Sequence, residues 1–418
     1  MTLIENAKAL LKEWRGDRFV FGRGVLNQVG TLVKGYGSKA LVVVSSRHQA
    51  LREPVGKSLE EAGVSFVEAP AAKPNDPKED VYRIATYILR YQPEVIVAVG
   101  GGSTIDCCKA ADAVSVLGGE VERFFGTGLV SKELEEKGKR LIPLVAVQTS
   151  ASSGSHLTKY SNVTDIASGQ KFLIVDMAVV PSAALFDYTV SSSMPESVTI
   201  DGIFDAYSHT FESFCGAKPQ VYDKLRQVAL TAIGLCLEYA PRLMKDLGDQ
   251  EAREAIGLAT DLGGYAIMLG GTSGAHLNSF SFVRLTGHGT ACGIMNPYYA
   301  VCYSRAIQPQ LKDLAGLYGA YGWVSEADQK REGRALALAV ARGMIAFMKS
   351  LGAPTTLGEL KGFDQSFIDQ ALQAAKNPAL EMKLKNMPTP MAGDDVDVYM
   401  KPVLEAARDG NLDLVVCR

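Results

Sequence analysis

A chain of 418 residues is long enough to build two domains, each burying its own core. A formal net charge of -3 with 21% of its residues charged is unremarkable, so no nucleic-acid or membrane partner is expected. Its seven cysteines are odd in number and include no C-x-x-C pair, which argues against a disulfide framework.

The amino terminus, MTLIENAKALLKEWRGD, mixes charged and apolar residues and does not read as a signal peptide. No apolar run approaches the roughly 20 residues that span a bilayer, so the expected setting is the cytoplasm. Further along, FVFG, KALVVVSS, SFVEAP, PEVIVAVGGGS and LIPLVAVQTS are short apolar runs, most of them rich in β-branched residues. Closed by Gly, Ser or Pro, they predict buried strands. The segments QALREPVGKSLEEAG and KEDVYRIATYILRY between them carry helical periodicity. Such alternation predicts a parallel sheet with helices on its faces. The texture changes near residue 190. After MPESV the strands stop, and VYDKLRQVALTAIGLCLEYAPRLMKDL, EAREAIGLATDLGGYAIMLGG, REGRALALAVARGMIAFMKSLG and QSFIDQALQAAKN all read as helices. The expected organisation is an α/β domain over 1–190 and an all-helical domain over 191–418. The charge run KELEEKGKR reads as a solvated loop or helix end.

Two patterns carry chemistry. In VIVAVGGGSTIDCCKAAD an apolar strand runs into Gly100, Gly101, Gly102 and Ser103, and a helix begins at once. Glycines let backbone N–H groups approach a pyrophosphate, and the helix amino end adds partial positive charge. The G-x-G-x-x-G fingerprint is absent, and a turn of this kind alone can be only a tight turn. The run Thr149 to Ser155 after LIPLVAVQ reads either as a second cofactor contact or as an ordinary polar loop.

The second pattern is a carboxylate with three imidazoles. Asp205 and His209 stand four apart in the helical stretch IDGIFDAYSHTFESF, so both leave one helix face, a turn apart. His276 and His288 follow in SGAHLNSFSFVRLTGHGTACG. Each histidine alone reads as a satisfied core residue; as a foursome with D-x3-H spacing they read as metal ligands. One oxygen and three nitrogens suit Fe(II) or Zn(II) better than magnesium or calcium.

Together these residues resemble the iron-containing (group III) alcohol dehydrogenase family, within the dehydroquinate synthase-like superfamily. The resemblance rests on GGGSTIDCCKA, the TSASSGS loop, DGIFDAYSHTFESF, GAHLNSFSFVRLTGHGTACGIMNPYY and FMKSLGAPTTLGEL. It implies an amino-terminal Rossmann-like dinucleotide domain and a carboxyl-terminal helical metal-binding domain. It implies Asp205, His209, His276 and His288 as the catalytic metal ligands, with Fe(II) favoured over Zn(II). Gly101, Gly102 and Ser103 would hold the pyrophosphate, and Asn75, Thr149, Ser150 and Lys171 would line the cofactor. A homo-oligomer, dimer or larger, is implied as well.

Two positions depart from the family pattern. Many members carry a histidine four residues after the third ligand, where this chain has Phe280. That ring cannot move protons, so water or a cofactor hydroxyl does so, or the ring packs a larger apolar substrate. After KALVVV, NAD-preferring relatives carry an acidic residue; this chain has Ser45, Ser46 and Arg47. Loss of the carboxylate and gain of a guanidinium favour NADP over NAD. The expected reaction is hydride transfer between a small or medium alcohol and its carbonyl, with the metal as Lewis acid. A dehydroquinate synthase-like lyase would need a strongly basic pocket, and the stretch from His276 to His288 offers only Arg284. A non-catalytic, metal-binding descendant is the other alternative, with Phe280 in its favour and the intact ligand set against it.

Overall fold

In the computed structural model, which describes residues 1–46, 49–167 and 170–418, the chain forms two compact units. One comprises Leu11–Ser193, and the other Met1–Leu10 with Met194–Arg418. Helix α1 (Leu3–Arg15) therefore has its first turns in the second unit.

The α/β unit opens with β1 (Phe19–Gly22), α2 (Val29–Lys34), β2 (Lys39–Val44), α3 (Gln49–Glu61) and β3 (Ser65–Pro70). It continues with α4 (Lys78–Tyr91), β4 (Val95–Gly100), α5 (Gly102–Leu117), β5 (Gly126–Thr127) and α6 (Leu129–Lys137). Strands β6 (Leu144–Gln148), β7 (Tyr160–Asp165), β8 (Gln170–Val175) and β9 (Ala183–Asp187) complete it. Six strands form one sheet in the order β1-β9-β6-β4-β2-β3, parallel at every pairing. Strands covered on both faces need apolar residues at every position, which is why KALVVV and VIVAV show no alternation. Val42, Val44, Val97, Val99, Val145 and Val147 form one buried layer with Val29 and Val33 of α2 and Val55 and Leu59 of α3. The intervening residues face the other way, where α4 and α5 pack.

The sheet differs from the expectation at one place. Strand β9, AALFD, is inserted between β1 and β6. Its Ala-Ala start has weak strand propensity; full burial between two partners makes it a strand. A separate small sheet joins β7 and β8 antiparallel, with β5 alongside β8.

The second unit is helical. Its centre is α7 (Glu196–Cys215), α8 (Tyr222–Lys245), α9 (Gln250–Leu269), α10 (Gly274–Ser279) and α11 (His288–Cys302). Asp249 caps α9 by accepting from the N–H groups of Glu251 and Ala252, each at 3.0 Å, a contribution of about 1 kcal/mol. Helix α7 packs against α8, α9 and α11, and from Gly202 to Cys215 every residue is buried. Such a helix is apolar on all sides by rule, so the buried Asp205, His209 and Glu212 must find polar partners or a cation. No helix among the described residues is long and apolar enough to cross a membrane.

Candidate metal and dinucleotide sites

Asp205 and His209 lie one turn apart on α7, with His209 Nε2 3.6 Å from Asp205 Oδ1. His276 on α10 brings its Nε2 to 3.6 Å from the same oxygen. The rings of His209 and His276 stack with centroids 4.6 Å apart, and the His288 ring stands edge-on to His276 at 5.0 Å. The donor atoms form two sets, each within 4.8 Å: Asp205, His209 and His276, and His276, His288 and Cys292. His276 belongs to both. The structure thus gathers the four residues singled out in the sequence, and adds a sulfur.

Two glycines allow this gathering. A Cβ on Gly289 would lie 2.1 Å from the Asp201 carbonyl oxygen and 2.5 Å from the Asp205 nitrogen, so only glycine lets α11 press onto α7 here. Gly287, just ahead of α11, is packed as tightly on the Asp201 carboxylate. That carboxylate accepts from Thr290 N at 2.8 Å and so ties the first turn of α11, which carries His288, to α7. Burial raises the Asp201 pKa to about 6.

The imidazoles are oriented from behind. His276 Nδ1 lies 2.6 Å from Glu212 Oε1, and the other Glu212 oxygen accepts from Ser273 N at 2.8 Å. The carboxylate keeps a proton on Nδ1 and turns Nε2 toward Asp205. His276 Nε2 is buried and makes no hydrogen bond among the described residues. His288 Nδ1 is 2.9 Å from Ser279 Oγ, whose own proton goes to the His276 carbonyl at 2.8 Å. The hydroxyl oxygen therefore accepts, again placing a proton on Nδ1. Burial opposes the charge on Asp205, but the imidazoles around it outweigh that and hold its carboxyl far below the usual range. Burial pushes His209 down to about 4, a neutral ring suited to ligation.

Glu212, Cys292 and Lys383 are the residues that sequence reasoning missed. Glu212 follows His209 by three residues and Cys292 follows His288 by four, so helical spacing carried a signal for both. Nothing local marked Lys383. It sits on the short helix Glu381–Lys385, buried, donating to Thr272 Oγ1 at 2.5 Å, with its Nζ 5.5 Å from the Phe280 ring centroid. Burial lowers its pKa to about 8, partly offset by Glu212, Cys292 and Asp205. Phe280 in turn stacks on the His288 ring at 5.5 Å and 12°. Phe282 is buried against Phe367, and Tyr298, Tyr299 and Tyr303 are fully interior. Arg284 is exposed.

In the α/β unit a cavity of about 380 Å³ opens at the carboxyl ends of β2, β3 and β4, the edge where parallel sheets bind ligands. Ser45, Ser46, Lys73, Gly100, Gly101, Thr104 and Thr149 are among its lining residues. A Cβ on Gly101 would come 2.8 Å from Ser150 Oγ, so the loop after β6 closes on the start of α5 at this turn. Gln148 Nε2 holds that loop by donating to the carbonyls of Ser150 and Ser153, at 2.7 and 3.0 Å. Gly102, Ser103 and Ser150 border this turn without lining the cavity, and Asn75 and Lys171 also lie outside its wall. Lys171 pairs with Asp76 at 2.8 Å, next to Asn75 in a left-handed turn (φ 67°). Arg47 lies outside the described residues. Asp106 of α5 is buried and accepts from Ser155 Oγ and from Asn162 N and Nδ2, the latter two at 2.9 Å.

Residues 16–188 match the family described as "Iron-containing alcohol dehydrogenase", and residues 199–402 match "Fe-containing alcohol dehydrogenase family, C-terminal". The chain is similar to the NAD-dependent methanol dehydrogenase of Bacillus methanolicus, 29% identical across 82% of this chain and 87% of that protein. It is also similar to NADH-dependent butanol dehydrogenase B of Clostridium acetobutylicum, 26% identical across 59% of this chain and 62% of that protein. Among solved structures, a 1,3-propanediol oxidoreductase shares the fold with a TM-score of 0.79 at 22% identity, covering 93% of this chain and 97% of that one.

Proposed function

The chain belongs to the iron-containing alcohol dehydrogenase family, and from that premise we propose that it interconverts a small or medium primary alcohol and its aldehyde. The observation that carries this reading is the buried donor group around His276. Its Nε2 has no hydrogen-bond partner among the described residues, while Glu212 holds the opposite ring nitrogen. A buried, unpartnered ring nitrogen beside a carboxylate and two further imidazoles fits a borderline divalent ion.

When bound, the ion supplies Lewis acidity at the substrate oxygen and the nicotinamide exchanges hydride with the carbon. The chain's own residues do the rest. Asp205, His209, His276 and His288 hold the cation, and Glu212 and Ser279 fix the rings that face it. The glycine turn at Gly101, Gly102 and Ser103, with Ser45, Asn75, Thr149, Ser150 and Lys171, holds the dinucleotide. The first turn of α5 directs backbone N–H groups toward the pyrophosphate. Phe280 offers an apolar face to the carbon chain, and the Lys383 ammonium against that ring supplies a proton donor where Phe280 has none.

We favour NADP because the cavity wall carries Ser45, Ser46 and the cation Lys73 and, among the described residues, no carboxylate that would repel a 2′-phosphate. NAD, named for the methanol dehydrogenase, is the competitor. Dissociation constants for the two cofactors decide between them, and tighter NAD binding removes the preference. Fe(II) over Zn(II), a homo-oligomer, and a cytoplasmic setting complete the reading. Elemental analysis followed by reconstitution, and sedimentation of the holoenzyme, test the first two. The central test is the reduced-nicotinamide absorbance with a panel of alcohols. His209→Ala should lose metal and turnover together, and full turnover by metal-free protein sinks the proposal.

A further inference from the structure

Resting on the metal-centre reading above, we propose that the Cys292 sulfur is a fifth donor to the same ion, entering its coordination shell beside His276 and His288. The two long helices at the centre are built alike. Helix α7 presents Asp205 and His209 four residues apart, and α11 presents His288 and Cys292 four residues apart, so each offers a donor pair from one face. The two helices meet at Gly289, and His276 on α10 is common to both donor sets.

The Cys292 sulfur and one nitrogen each of His276 and His288 all lie within 4.8 Å of one another. Two donors on one zinc ion can stand at most about 4.4 Å apart, the sum of a Zn–S and a Zn–N bond, so these three donors need little contraction to share an ion. Cys292 is completely buried, and it forms no disulfide. His276 Nε2, buried and without a hydrogen bond among the described residues, supplies the lone pair that an ion would share with the sulfur. As the sulfur–metal bond forms, the S–H bond breaks and its proton leaves to solvent. A thiolate makes the donor set softer than one oxygen with three nitrogens.

Cobalt(II) distinguishes the outcomes. Holoprotein reconstituted with cobalt should show visible ligand-field bands from the bound ion. It should also show a near-ultraviolet sulfur-to-cobalt charge-transfer band that Cys292→Ser removes while the ligand-field bands remain. Cys292→Ala serves as the second variant if the serine form folds poorly. Ligand-field bands without the charge-transfer band, or a charge-transfer band that survives both substitutions, overturn the fifth donor. Absence of any cobalt bands defeats the metal centre itself, and this inference with it.

Discussion

Glu212 Oε1 stands 2.6 Å from His276 Nδ1, with both side chains buried. The contact joins α7 to α10 and decides which nitrogen of His276 faces the other donors. Glu212→Gln keeps the shape and removes the charge that makes the imidazole a stronger ligand. Metal affinity should fall about 10–100-fold, measured by competition with a chelator. Unchanged affinity would show that the carboxylate only fills space.

Gly289→Ala inserts a methyl group where 2.1 Å is available to the Asp201 carbonyl oxygen. Helices α7 and α11 must part, which moves His288 away from Asp205. Stability should fall by about 1–3 kcal/mol and metal affinity with it. The same exchange at Gly316, exposed and with nothing within 4 Å of its would-be Cβ, should instead stabilise by about 0.5–1 kcal/mol. Denaturant midpoints of the two variants should move in opposite directions.

Lys383 is held near pKa 8 by burial. The folded state gives up this proton before the unfolded chain does, so folding carries a cost at neutral pH that is relieved as pH rises from about 8 toward 10.4. Lys383→Met should raise the melting temperature at pH 7 and flatten that rise, while lowering kcat. A variant that melts earlier at pH 7 contradicts this account of the ammonium.

Asp112 presents the opposite sign. Burial raises its carboxyl to about 8, and its acceptor contact with Ile142 N is 3.3 Å. The folded state keeps the proton that the unfolded chain releases near pH 3.9, so stability declines between about pH 4 and 8. Asp112→Asn should remove that decline in thermal scans across the window. A slope equal to that of the parent protein would assign the pH dependence to other groups.

Much of this protein is written locally. The β-branched runs and the helices between them announce a parallel sheet, because burial on both faces demands apolar residues at every strand position. Glycine at 101 and the D-x3-H spacing at 205 and 209 are equally local, since one helical turn sets where two side chains point. Strand β9 escaped because its Ala-Ala opening takes its structure from its neighbours. What only the tertiary structure decided is the company His276 keeps. Its carboxylate partner lies 64 residues back along the chain, and Lys383 stands 111 residues beyond the threonine it donates to. Contacts of that span depend on how whole helices pack, down to the missing side chain of Gly289, and no sequence periodicity encodes them.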